Sequence, residues 1–257
     1  MTTDFRNIIF EREGGVARIT LNHPPVNIMD ISTMKEITAA LESLHGDEGT
    51  KVLVFAAQGK AFCAGVDVKE HTADKVDEMI EVFHRIFRLM WGLDVPTVAA
   101  VNGAALGGGC ELATFCDMII ASEKATFGQP EIQVGVYPPI AVVTFPRLMP
   151  HVKAMELLLT GEIIDAREAE RLGIVNRVVS VESFEQEVSS FIARLTALSA
   201  IVLRLTKRAI LQGLTLAFEE ALAHSEELYL NRLMKTDDAS EGLQAFMGKR
   251  KPVWKDR

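Results

Sequence analysis

Glu111 and Glu131 stand twenty residues apart, and each sits beside a stretch suited to acid–base chemistry. The first belongs to "AALGGGCEL" (104–112), three glycines in a row followed two residues later by a carboxylate. Glycine runs weaken regular structure, so bare backbone here needs another use. If a helix starts near Gly107, its first N–H groups have no partner inside the helix and lie at the positive end of its dipole. Such a place suits a phosphate, a carboxylate or an oxygen that becomes negative during reaction. Glu111, three residues after Gly108, faces the same side of the first turn. A second loop, "KAFCAGVD" (60–67), follows a buried strand, and Gly65 lets the chain turn sharply there. The Val66 amide could then supply a second donor to the same oxygen, as an enolate or tetrahedral oxyanion requires. "FGQPEI" adds Glu131 directly after Pro130, whose ring fixes the local backbone.

Three readings of the glycine run compete. It can be tight packing of a helix on a strand, with Glu111 only a helix-start carboxylate. It can be a nucleotide phosphate loop, although no Gly-x-x-x-x-Gly-Lys-Ser/Thr and no Gly-x-Gly-x-x-Gly is present. It can be an oxyanion site, and the second loop and Glu131 shift the balance that way. Other chemistry finds little support. The six histidines include no His-Glu-x-x-His, and His84 and His224 read as surface or core residues of helices. No Gly-x-Ser-x-Gly occurs. Cys63 lies next to the presumed donors but has no basic neighbour in sequence, so it reads as a packing residue.

The elements that must position these residues alternate. "VARITLN" (16–22), "KVLVFAA" (51–57), "TVAAVNG" (97–103) and "DMIIAS" (117–122) read as strands. "DISTMKEITAALESLHGD" reads as a helix, with Thr33 and Glu36 in a capping-box pattern and Gly46 after the last turn. The helix over 74–94 carries Ile80, Phe83, Ile86, Phe87 and Met90 on one stripe. This order implies an α/β core with parallel strands. Beyond about residue 150 the pattern turns helical; Asp165 and Glu168 stand at capping spacing there, and "IVNRVV" is a short strand.

A chain of 257 residues, 48% hydrophobic and 24% charged, has the profile of an ordinary globular protein and can bury a substantial core. The net charge of −8 argues against general nucleic-acid binding, while leaving room for an anionic ligand on a local basic patch. Cys63, Cys110 and Cys116 are odd in number and lack metal or redox spacing, which suits free thiols in a reducing cytosol. The N-terminal stretch lacks a signal-peptide pattern, and no run has the length of a membrane span. Cytoplasmic location is therefore expected.

Together "KAFCAGVDVKE", "VNGAALGGGCELATFCDMIIAS" and "ATFGQPEIQVGVYP" resemble, in order and spacing, the crotonase or enoyl-CoA hydratase/isomerase superfamily, and the resemblance runs essentially the whole chain. It implies an α/β, crotonase-like spiral of ββα units over 1–195 and a C-terminal helical trimerisation region over 196–257. It implies a homotrimer or a hexamer made of two trimers. It implies an acyl-coenzyme A thioester as substrate, with no separate cofactor and no metal; the net charge argues against nucleic acid as partner, and the lack of a span-length apolar run against a membrane. The oxyanion donors would be the N–H groups of Val66 and Gly108. Glu111 would orient and activate a water, its charge favoured by the helix N-terminus, and Glu131 would deliver and remove the α-proton. Ala64, Asp67, Val68, Tyr137 and Pro138 would line the substrate, Asp67 having an equally good role as a helix cap. Lys249, otherwise part of a solvated basic tail, would approach the coenzyme. Where hydratases usually carry a glycine-rich run after the second glutamate, this chain has "VYPPIAVVTFPRL". With "HPPVNIMDISTMKEI", that stretch is most similar to cyclohexa-1,5-diene-1-carbonyl-CoA hydratases of anaerobic aromatic degradation. The resemblance also leaves open an isomerase, a short-chain hydratase, or an inactive relative that binds coenzyme A or RNA.

Overall fold

The computed structural model describes residues 5–257. Its frame is a six-stranded sheet in the order β1-β2-β3-β5-β7-β10. The strands are β1 (Ile8–Glu13), β2 (Val16–Leu21), β3 (Val52–Ala57), β5 (Thr97–Val101), β7 (Met118–Ser122) and β10 (Arg177–Val179). Among the described residues of this sheet only the β1–β2 hairpin is antiparallel. A smaller sheet contains β4 (Ala61–Cys63), β6 (Ala104–Leu106), β8 (Thr126–Gly128) and β9 (Ile163–Asp165).

The two sheets explain the expected ββα repeat. β3, β5 and β7 enter the large sheet, and β4, β6 and β8 follow each of them into the small one. Helix α2 (Val76–Gly92) comes after the first pair and α3 (Gly108–Phe115) after the second. After the third come a short 3₁₀ turn, Pro130–Val134, and helix α4 (Ala141–Leu148). Each turn of the spiral thus delivers one loop to the same end of the small sheet.

Strand burial follows the side-chain period of two. Leu53, Phe55, Ala99, Val101, Ile119 and Ala121 face the central core, which α1 (Ile31–Glu42), α2 and α3 complete. Val52, Val54, Val98, Ala100 and Ile120 face Phe184, Val188 and Ile192 of α7 (Phe184–Thr196). Strands covered on both faces read as unbroken apolar runs rather than alternating ones. The C-terminal part holds α5 (His151–Thr160), α6 (Ala166–Arg171), α8 (Ala200–Gly213), α9 (Phe218–Asn231) and α10 (Asp237–Met247). Among the described residues no single helix is long and apolar enough to cross a membrane.

One expected cap is corrected. Asp30, not Thr33, caps α1: its carboxylate accepts from the Thr33 N–H and hydroxyl, both at 2.7 Å. Glu36 instead accepts from the Arg6 and Asn7 amides, tying the N-terminal segment down. The helix begins at Ile31, so Thr33 lies inside the first turn and its N–H is one of those left without an intrahelical partner, which Asp30 caps. Asp165 caps α6 as its spacing predicts, accepting from the Glu168 N–H at 2.8 Å.

Candidate active site

The two loops read as donors meet at the start of α3. Gly107 precedes the helix with φ +52° and ψ −130°, a conformation closed to side chains in general. Gly108 is then the first helical residue, and its N–H has no acceptor four residues back. Val66 is set by a parallel bridge to Met29. The Met29 N–H donates to the Gly65 carbonyl at 2.9 Å, and the Asp67 N–H donates to the Met29 carbonyl at 3.1 Å. Successive amides of an extended chain point to opposite sides, so the Val66 N–H faces away from Met29. Asn27 anchors this supporting segment: its amide donates to the carbonyls of Gln58 and Ala61, both at 2.9 Å.

Absence of side chains lets the loops touch. A Cβ on Gly65 would lie 3.2 Å from the Leu106 carbonyl and 3.8 Å from the Gly108 nitrogen. A Cβ on Gly108 would lie 2.8 Å from Cγ2 of Val66 and 3.0 Å from the Phe83 ring. Cys63 is fully buried against Gly109, and its sulfur accepts from the Gly65 N–H at 3.4 Å. Burial pushes the Cys63 thiol up to about 12, which keeps it protonated and makes it packing rather than a nucleophile.

Both carboxylic residues come to this helix start. Glu111 is only 2% exposed. Its Oε1 accepts from the Ile140 N–H at 2.7 Å and the Ala141 N–H at 2.9 Å, both at the N-terminus of α4. Burial nevertheless dominates and, with the charge of Glu131, pushes the Glu111 carboxyl up to about 8 against those two donors. The expectation that a helix terminus keeps Glu111 ionised is therefore corrected: desolvation outweighs it. Glu131, half-buried on the 3₁₀ turn, is also raised by burial. Its Oε1 lies 2.7 Å from where a Gly107 Cβ would be, so a side chain there would push this carboxylate out of its place.

The remaining expected residues spread outward from this centre. Ala64 is exposed, and its N–H donates to the Val26 carbonyl at 3.0 Å. Asp67 caps the short 3₁₀ helix Val68–Glu70 by accepting from the Lys69 N–H, while Val68 is exposed. Tyr137 is exposed and Pro138 buried in the segment that runs directly into Ile140 and Ala141. The proline-rich wall is thus continuous with the amides that hold Glu111. Lys249 is exposed in a turn just after α10, with φ +50°. Beyond it the tail folds back on its own helices through Arg250–Glu241 and through Trp254, whose Nε1 donates to the Ala197 carbonyl. His84 and His224 lie on helices α2 and α9, as read. Among the described residues no cluster of three or more His, Cys, Asp or Glu could hold a metal ion.

The supporting amides of Ile140 and Ala141, and the clamp by Asn27, were not read from the sequence. Main-chain donors carry no residue-type signature. Asn27, beside two prolines in "HPPVN", offered the only readable hint.

Comparison with known proteins supplies the context for this geometry. The sequence profile of the family described as "Enoyl-CoA hydratase/isomerase" matches residues 11–257. A "Probable enoyl-CoA hydratase" of Rhizobium meliloti is 39% identical over 256 residues, covering 98% of this chain and 99% of that protein. A "Crotonyl-CoA hydratase" of Syntrophomonas wolfei is 35% identical, covering 96% of this chain and 97% of that protein. Among solved structures, an enoyl-CoA hydratase of Bacillus anthracis superposes with a TM-score of 0.93 at 32% identity, covering 98% of this chain and all of that one. With the fold, the paired loops and the full-length match in agreement, the chain belongs to the enoyl-CoA hydratase/isomerase family.

Proposed function

We propose that this protein adds water across the α,β double bond of a conjugated acyl-coenzyme A thioester. The observation that carries this reading is the convergence of two carboxyl side chains and two main-chain N–H groups at the first turn of α3. The thioester oxygen accepts from the Val66 and Gly108 N–H groups, which stabilise the enolate as charge moves onto it. One such donor contributes about 2.7–4 kcal/mol to the transition state. Water sits between the two carboxyl groups. Glu131, the more exposed of the pair, works as the carboxylate. It takes a proton from water as the oxygen bonds to the β-carbon, and returns that proton to the α-carbon. Glu111, neutral at rest, orients the water. Hydroxyl and proton together account for one water, and no other reactant is consumed.

Two finer assignments belong to the same proposal. The acyl group in the second reading is a flat cyclic dienoyl, favoured by the stiff Tyr137-Pro138-Pro139 segment before α4. The helices of 196–257 form the oligomerisation region of a trimer or paired trimers, separate from the core of 1–195, and Lys249 reaches toward the coenzyme.

The test is turnover in ¹⁸O-water with crotonyl-CoA and cyclohexa-1,5-diene-1-carbonyl-CoA. One ¹⁸O in a new product hydroxyl is expected, and Glu131→Gln abolishes turnover while coenzyme A affinity stays nearly unchanged. Double-bond migration without ¹⁸O, or turnover surviving in Glu131→Gln, contradicts the proposal.

A further inference from the structure

Gln129 connects β8 to the 3₁₀ turn that carries Glu131, and it is fully buried. The end of its amide faces Oε2 of Glu131 at 3.3 Å and the Gly107 carbonyl at 3.2 Å. A carbonyl oxygen only accepts, so the amide nitrogen is the atom turned toward both, and it donates to each. The Gly107 carbonyl shares a peptide plane with the Gly108 N–H, and in a trans peptide the two point in opposite directions. Whatever holds the carbonyl therefore aims the N–H. Two other contacts complete the hold: the Glu111 N–H donates to that carbonyl at 2.9 Å, and the Gly107 N–H donates to the Gly128 carbonyl at 2.9 Å. An amide buried so completely is costly unless its hydrogens find acceptors, and here the acceptors are parts of the site.

We propose that Gln129 is a positioning residue that locks the Glu131 carboxylate and the Gly107–Gly108 peptide into one arrangement, fixing the spacing between proton carrier and oxyanion donor. The proposal rests on the roles given above to Glu131 and Gly108. Donation to Oε2 also favours the charged carboxylate and so opposes the upward push that burial exerts on Glu131. The titratable groups of α3 that act across this site are Glu111 and Cys110. Burial drives the Cys110 thiol far up, leaving Glu111 as the group that titrates beside Glu131 in the working range.

The experiment uses two variants of the full chain, with crotonyl-CoA as the probe. Gln129→Met keeps the volume without the amide, and Gln129→Asn draws the amide back by one methylene. Loss of a hydrogen bond to a charged group predicts a fall in kcat of about ten- to a hundredfold. KM should stay within about twofold, because the lost contact acts on the reacting geometry rather than on substrate binding. The acidic limb of kcat/KM against pH should rise by roughly one unit, since Glu131 loses a donor to its charged form. A role in packing alone would lower stability without moving that limb, and that outcome overturns the proposal. So does a folded variant with the kcat and limb of the original protein. Should Gln129→Met not fold, Gln129→Asn is read in its place. Glu131→Gln measured alongside separates the two layers. Turnover surviving there overturns the role of Glu131 itself. Loss there, with unaltered behaviour in Gln129→Met, overturns only the positioning role.

Discussion

Glu111 is a carboxyl group in a place that penalises its charge, and this has a consequence for stability. Its pKa rises from 4.5 to about 8 on folding, chiefly through burial. The folded state thus holds the proton more tightly than the unfolded chain does. The resulting stabilisation is full below about 4.5 and disappears as pH rises through about 8. Glu111→Gln removes this dependence. Between about pH 5 and pH 9 the variant should lose less stability than the original protein, by on the order of a few kcal/mol. Urea unfolding at a series of pH values measures this; parallel curves would show that Glu111 is not desolvated. A site that keeps a carboxyl neutral at a cost in stability at high pH is a common signature of catalytic use.

Helix α3 matters less for its length than for how closely β4 approaches it. A Cβ on Gly109 would stand 2.4 Å from the Cys63 carbonyl and 2.6 Å from its Cβ, so backbone, not a flexible tip, would have to move. Gly109→Ala should force the two elements apart, destabilise by about 1–3 kcal/mol through overpacking, and lower kcat by separating the Val66 and Gly108 donors. Thermal unfolding and steady-state kinetics check both effects. An alanine variant with unaltered kcat would show that the approach of β4 does not set the site. Such contacts mark the boundary of what the sequence makes legible. The apolar runs of β3, β5 and β7 and the stripe on α2 were readable because periodicity reports burial. The sequence stretch 97–103 looked like one strand, yet it leaves the large sheet after Val101, and β6 joins the small sheet at Ala104. Strands of three residues, such as β4, β6, β8 and β9, are too short to show alternation. Glu111 and Glu131 stood out because carboxylates beside glycines are chemically conspicuous. The Ile140 and Ala141 amides did not, since any residue supplies an N–H.

At the scale of the whole molecule, the C-terminal helices are tied to the core by an ion pair between a buried lysine and a partly exposed aspartate. Lys207 of α8 reaches Asp117, just past α3, at 2.7 Å and donates to the Val95 carbonyl at 3.0 Å. Asp117 also accepts from the Thr97 N–H and hydroxyl, which places it between two central strands. Lys207 is the buried member, so Asp117→Asn, which leaves its ammonium without a counter-charge, should cost about 1–3 kcal/mol. Adding Lys207→Met should recover part of that loss; strict additivity in urea unfolding would show the pair is uncoupled. In the proposed reading, spiral, helical layer and loops together serve one arrangement, an acyl thioester held by two amides with two carboxyl groups above its double bond. A crystal structure with an unreactive acyl-CoA thioester analogue tests this most directly. The account predicts the thioester oxygen within about 3.1 Å of both the Val66 and Gly108 nitrogens, with the α- and β-carbons facing Glu131 and Glu111. A thioester oxygen bound away from those nitrogens, or an acyl chain turned from the carboxyl pair, would contradict it.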